Sequence, residues 1–189
     1  MALTCLTVFD LEYTAWEGSM ARAWLEPGQF REVVQIGAVK LNAESFAVLD
    51  ELDLLVVPRI NGCLSAYFEN LTGITGEMVA RSGVDFGAAY DRLLDFAGDE
   101  PLAAFGRDDR VLQENLRLYG IKARALPLFY DLRAWFALQG VDPRGRLACE
   151  IAPALGMRMG RAHNALEDAR GLAAAMAVLA ESGPKPAAA

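Results

Sequence analysis

Apolar positions follow two spacings along the chain. Residues 3–9 form a short run rich in β-branched side chains, which predicts a strand buried on both faces. Runs at 31–41 and 47–57 predict two more strands joined by a turn at 42–45, and three sequential strands with short connections make an antiparallel meander. Residues 15–29, with Gly18, Pro27 and Gly28, read as a turn or hairpin tip, and residues 58–62 leave the sheet. Helical spacing then takes over, with Phe86, Ala89, Tyr90, Leu93 and Leu94 marking a helix over 86–96. A fourth strand is predicted at 102–105, a helix over 108–119 that stops at Gly120, and a fifth strand at 127–131. Helices at 132–138 and 147–155 precede a final alanine-rich helix that continues to Ala180. The aromatic and hydroxyl-rich stretch 64–76 reads as a loop packed on the core, ending in the turn Thr72-Gly73-Ile74-Thr75. Together these elements predict an α/β domain with a mixed five-stranded sheet, residues 1–182, and a small disordered tail at 183–189.

Composition narrows the class. The chain of 189 residues is 53% hydrophobic and 23% charged, which fits one globular domain. No apolar run approaches the length of a membrane span, and no secretory signal is recognisable, so neither a membrane nor an export route is expected. Three scattered cysteines without metal-ligand spacing fit a reducing, cytoplasmic setting; Cys5 is expected in the core, and Cys63 and Cys149 form no pattern. The net charge of −7 argues against tight nonspecific binding to long nucleic acid. Basic residues nonetheless gather in two regions, Arg107 to Arg124 and Arg144 to Arg170, as solvated faces or as phosphate contacts.

The candidate chemistry begins at Asp10 and Glu12, where the first strand ends. Alternation along an extended chain points both carboxylates to one side, and like charges held that close call for a divalent cation. Two neighbouring acids, Asp108 and Asp109, open the 108–119 helix. Its apolar face, projected at roughly 100° per residue, centres on Asp108, which therefore faces inward, whereas Asp109 is expected to cap or to be solvated. His163 is the single histidine. Five residues of continuous helix would turn it away from Asp168, but Asn164 with Glu167 resembles a capping box that starts the helix between them. His163 and Asp168 then occupy the two positions that meet in a hydrophobic staple, which brings an imidazole to a carboxylate.

Asp10-x-Glu12, an inward aspartate opening a mid-chain helix, and His163-x-Ala165-x-x-Asp168 resemble the three motifs of the DEDDh 3′ to 5′ exonucleases. The likeness extends from Val8 to Arg170. Residues 32–38 and 64–75 look most like the branch holding KapD and the Eri-type RNA exonucleases. The resemblance implies a ribonuclease-H-like fold with helices on both faces of the sheet, and two Mg²⁺ or Mn²⁺ ions. It further implies that Asp10 bridges both ions, that Glu12 and Asp168 hold one, that Asp108 orients a coordinated water, and that His163 accepts the proton of the attacking water. Thr14, Thr72, Gly73 and Ile74 become candidates for seating the terminal nucleotide. Branch members often read Trp-Gly-x-x-Asp at the middle motif, which counted from Phe105-Gly106 selects Asp109, so that both aspartates stay in view. The implied activity is release of nucleoside 5′-monophosphates from the 3′ end of single-stranded RNA or DNA, with RNA favoured. A noncatalytic nucleic-acid-binding module and a small-molecule phosphodiesterase are the alternatives.

Overall fold

The computed structural model describes residues 3–182; the expected tail at 183–189 lies outside them. Strands β1 (Cys5–Tyr13), β2 (Val33–Asn42) and β3 (Val48–Leu55) form the antiparallel meander. β4 (Leu102–Ala104) and β5 (Phe129–Asp131) add parallel strands on the other side, giving the order β3-β2-β1-β4-β5. β1 is longer than its apolar run. It pairs with β2 through Asp10 opposite Gly37 and Glu12 opposite Gln35, so both acids lie inside a paired strand rather than beyond its end. Backbone pairing is indifferent to side-chain polarity, and a row of side chains can change from apolar to acidic without ending the ladder. Cys5 opens β1 but is only partly buried, not a core residue.

The sheet carries core on both faces. Leu6 and Val8 pack with Val39, Leu41 and the inward positions of α5 (Leu132–Leu138), α6 (Ile151–Ala154) and α7 (Ala165–Ser182). Phe9 and Leu11 project to the opposite face, against α3 (Phe86–Ala97) and α4 (Asp108–Leu118). By alternation, Asp10 and Glu12 continue the Leu6–Val8 row and emerge on the α7 face.

Helix α7 lies close to the sheet because its inward row is built largely of alanine, with Ala165, Ala169, Ala173 and Ala175 at most 2% exposed. Its first turn sits directly over Gly37, where a β-carbon would overlap the backbone of Ala165 and Leu166. Gln35, two residues away on the same face, accepts a hydrogen bond at its Oε1 from the Ala165 N–H (2.9 Å) and donates to Asp53 (2.8 Å). A glycine and a glutamine of β2 thus dock the start of α7 across from Asp10 and Glu12.

Two further segments differ from their sequence pattern. The stretch 64–76 is not a loop: it contains α1 (Ala66–Thr72) and leads into α2 (Gly76–Ser82). Ser65 and Thr75 are the N-caps, each accepting a backbone N–H, and Gly73 ends α1 in a left-handed conformation at φ 78°. Hydroxyls that read as loop formers are therefore helix starts, and two-turn helices are too short to register an apolar period. The expected helix at 147–155 is broken into a 3-10 turn, Ala148–Glu150, followed by the single turn of α6. Pro153 has no N–H to offer the Cys149 carbonyl, which prevents one continuous helix.

Buried polar groups tie these parts together. Asn115 of α4 donates to the Arg31 carbonyl (2.7 Å) and accepts from the Val33 N–H (3.0 Å). Glu32 accepts the N–H groups of Arg59 and Ile60 (2.8 Å each) and Asn61, along with the Tyr119 hydroxyl, and so anchors 58–62 to the start of β2.

Gly37→Ala is expected to destabilise the fold by about 1–3 kcal/mol, read as a melting temperature lower by roughly 2–12 °C. Gly76→Ala, whose added carbon would first meet Glu69 Oε1 at 3.7 Å, should stay within about 0.5 kcal/mol of the parent. Equal melting temperatures for the two variants would show that close approach at Gly37 is not what seats α7.

Candidate active site

Asp10 and Glu12 come from the C-terminal half of β1, and Asp168 comes from the first turn of α7. One carboxylate oxygen from each lies within 4.8 Å of the others. Each of the three residues is at most 8% exposed. Among the described residues none of the three forms an ion pair with a basic side chain. Burial is the main reason their protons are held: Asp10 is raised well above the ordinary carboxylate range, Glu12 to about 8 and Asp168 to about 7. For Asp10 and Glu12 the neighbouring acids add to the effect.

Asp108 opens α4 and lines the same cleft, and its charge also raises Asp10 and Glu12. Its own carboxyl is pushed to about 7, first by burial and then by Asp109. Asp109 neither caps nor meets solvent. It is 6% exposed and held by Arg107 through Nε (2.8 Å) and Nη2 (2.6 Å), which keeps its carboxyl below the usual range. A surface reading of Asp109 overlooked that a basic residue two positions earlier could fold over it. Asp108 thus faces the carboxylate cluster, and Asp109 is taken up in an ion pair.

His163 stands where the helix start was expected. Its own backbone is left-handed at φ 59°, and its N–H donates to Asp168 Oδ2 (3.2 Å). Asn164 accepts the Glu167 N–H at 3.2 Å, so half of the capping box forms. The Glu167 carboxylate turns instead to Arg170, which also pairs with Glu51. A ring nitrogen of His163, the Cys149 thiol and an Asp168 oxygen lie within 4.8 Å of one another. Burial lowers the imidazole from its ordinary value, with Glu150 opposing, so the ring is neutral at physiological pH. Burial, together with Asp168, pushes the Cys149 thiol up to about 12, and it is no thiolate nucleophile at neutral pH.

The four residues expected at the terminal nucleotide, Thr14, Thr72, Gly73 and Ile74, are not among those lining the cleft that holds the acids. The Thr14 hydroxyl donates to the Phe30 carbonyl (2.5 Å) and accepts the Glu32 N–H (3.1 Å). Thr72 donates to Phe68 O (2.9 Å) and accepts the Ile74 N–H (3.0 Å). Ile74 is packed among Phe68, Val34 and Val79, and the Arg161 guanidinium covers Gly73. The cleft wall on this side is made by Tyr67, Phe68 and Leu71 of α1, the helix hidden in the supposed loop. The cleft encloses about 370 Å³ and carries Arg31, Arg107, Arg133 and Arg146 on its sides. Arg31 lies over the Tyr13 and Trp24 rings at 5.9 and 5.6 Å. Three of the four cleft arginines are also ion-paired, Arg31 with Glu114, Arg107 with Asp109 and Arg133 with Asp131, and outside the cleft Arg124 pairs with Asp91 and Asp95.

An all-oxygen set of crowded, buried carboxylates suits a hard divalent cation, which would replace the retained protons. Raised carboxyl values set the sign of a pH effect. The unfolded chain releases these protons at ordinary values near pH 4, whereas the native protein keeps them until about 7 for Asp168 and about 8 for Glu12. The native state therefore binds more protons over that window, and raising the pH weakens the metal-free fold. The melting temperature in EDTA is expected to fall from about pH 5 to about pH 8, and Mg²⁺ or Mn²⁺ should raise it more at the higher pH. A melting temperature independent of both pH and metal would contradict this reading of the cluster.

Comparison with known proteins agrees with this geometry. The nuclease domain of 3′hExo, a DEDDh family member whose structure was determined bound to rAMP, is similar at a TM-score of 0.80 and 23% identity, covering 96% of this chain and 94% of that one. Cell-death related nuclease 4 (CRN-4) is similar at 0.77 and 19% identity, with 97% and 66% covered. E. coli exonuclease I, in complex with a dA16 oligonucleotide, gives 0.69 and 19% identity over 95% of this chain, which spans only 41% of that one. These likenesses establish a shared ribonuclease-H-like exonuclease fold. No curated protein sequence matches the chain. The RNase_T family, described as Exonuclease, matches residues 7–176, nearly the whole of the described structure. The chain belongs to the RNase_T exonuclease family.

Proposed function

We propose that the protein is a metal-dependent 3′ to 5′ exonuclease of the DEDDh type, acting on single-stranded nucleic acid and releasing nucleoside 5′-monophosphates. The observation that carries this reading is the convergence of Asp10, Glu12 and Asp168 within 4.8 Å, with His163 beside Asp168. Asp10, Glu12 and Asp168 would hold two Mg²⁺ or Mn²⁺ ions, with Asp108 at their edge. Such ions supply positive charge to the phosphate and to the departing 3′ oxygen.

The chain's own residues do the remainder. His163, its imidazole lowered by burial, is unprotonated at physiological pH and accepts the proton of the attacking water. Water oxygen bonds to phosphorus as the bond to the 3′ oxygen breaks, and that oxygen takes a proton from solvent. Tyr67 and Leu71, backed by the buried Phe68, offer apolar surface to bases, which stack without regard to sequence. Arg146 lines the cleft without an acid partner among the described residues, and Arg31, Arg107 and Arg133, each paired with one carboxylate (Glu114, Asp109 and Asp131), would have to share their guanidinium groups with the phosphates of a strand end. The likeness of residues 32–38 and 64–75 to the KapD and Eri-type branch favours RNA over DNA, and a cytoplasmic setting goes with that reading.

The test uses 5′-labelled single-stranded RNA and matched DNA with Mg²⁺, Mn²⁺ or EDTA. A ladder shortening from the 3′ end, lost in EDTA and in Asp168→Asn, with RNA cut faster, is expected. No shortening of either strand, together with hydrolysis of a nucleotide p-nitrophenyl ester, would overturn the polymer reading in favour of a small-molecule phosphodiesterase. His163→Ala should lower turnover by about 10²–10⁴ while leaving metal affinity in place. Asp108→Asn should lower turnover sharply, whereas Asp109→Asn should keep it and lower thermal stability, because only Asp109 is taken up by Arg107. The reverse pattern would make Asp109 the middle-motif acid.

A further inference from the structure

One group at the cleft has no part in this chemistry. Cys149, in the 3-10 turn Ala148–Glu150, lines both the cleft and a smaller side cavity that reaches Met159 and Gly171. It brings a thiol beside the His163 imidazole and the Asp168 carboxylate. We propose that Cys149, His163 and Asp168 form a second metal site, selective for a thiophilic divalent cation such as Zn²⁺, whose occupation shuts off the nuclease. The inhibitory half of this proposal rests on the exonuclease reading; the metal site does not.

Geometry and ligand chemistry support it independently. The Cys149 sulfur, a His163 ring nitrogen and an Asp168 carboxylate oxygen already lie within 4.8 Å of one another. Zinc bonds of about 2.0–2.3 Å would draw such a set together, and three protein ligands would leave a fourth position of a tetrahedral ion to water. Sulfur and imidazole select zinc or cadmium, whereas the neighbouring set of Asp10, Glu12 and Asp168, all oxygen, selects magnesium or manganese. Zinc displaces the thiol proton to solvent, so the site forms as Cys–S–Zn with one proton released.

The two sets share Asp168, and this makes them rivals. An Asp168 oxygen drawn toward sulfur and imidazole is withdrawn from the Asp10–Glu12 side. A His163 nitrogen that coordinates a cation has no lone pair left to take a proton. Backbone geometry assists, since the His163 N–H bonded to Asp168 holds the two side chains at one corner of the cleft. The pattern was invisible in sequence because Cys149 stands fourteen residues ahead of His163, with a 3-10 turn and a helical turn between them.

The direct test is optical. Reduced, metal-free protein is titrated with Co²⁺ in an excess of Mg²⁺. An intense near-ultraviolet thiolate-to-cobalt band that zinc abolishes is expected, and it should be missing in Cys149→Ser and in Cys149→Ala. Two variants guard against a folding failure in either, and circular dichroism checks both. Zinc inhibition of Mg²⁺-dependent hydrolysis is then compared, each protein normalised to its own zinc-free rate, and the half-inhibitory zinc concentration should rise at least about tenfold in the variants. Absence of the band in the parent, or its persistence in the variants through Cys5 or Cys63, overturns the site. A Cys149-dependent band with unchanged zinc inhibition overturns the inhibitory role. A Cys149-dependent band in a protein with no Mg²⁺-dependent nuclease activity leaves the metal site standing and removes the exonuclease reading instead.

Discussion

Burying three carboxylates against one another is the arrangement that electrostatics most opposes, and the rest of the molecule is built to enforce it. Asp10 and Glu12 cannot separate because they are alternate residues of a strand paired on its β2 side from Cys5 to Tyr13. Asp168 cannot retreat because α7 is seated on Gly37 and its first N–H is held by Gln35. Without a cation the carboxyls keep their protons, chiefly because they are buried and, for Asp10 and Glu12, also because of the neighbouring acids. The fold thus stores a demand for positive charge at one point, and that demand is the basis of the function proposed.

Much of the frame was legible in the sequence. The meander, the later strands at β4 and β5, and helices such as α5 follow from apolar spacing and from glycine stops, because these features report on local backbone preference and on one buried face. The acids of β1 and the His163–Asp168 pair were legible for the same reason: strand alternation and helix-start chemistry are local rules. What was not legible depends on contacts between distant segments. Gln35 and Gly37 gain meaning only when α7 lies over them, and Asn115 only when α4 meets the start of β2. A polar residue at position 115, one turn from Val111 and Leu112 on a buried face, was the available hint. Asp109 was misjudged because an ion pair with Arg107 is a side-chain choice that helical projection does not contain. The supposed loop at 64–76 concealed α1, and with it the wall of the cleft, because Ser65 reads equally as a turn and as a cap.

The same corner of the cleft serves two chemistries. Oxygen donors gather on the β1 side and a sulfur and an imidazole on the other, with Asp168 between them. A single residue common to both sets lets the identity of the bound cation, rather than a large conformational change, decide what the site does. The histidine is the part most exposed to this competition, since a ring nitrogen can serve as base or as ligand but not as both.

The proposed function requires a divalent cation between Asp10, Glu12 and Asp168, and anomalous diffraction from crystals soaked in Mn²⁺ tests this most directly. A manganese peak bonded to oxygens of all three residues, and lost in Asp168→Asn, is the result the account requires. A well-ordered cleft in which the three carboxylates remain metal-free at saturating Mn²⁺, or a peak held elsewhere without them, would contradict it.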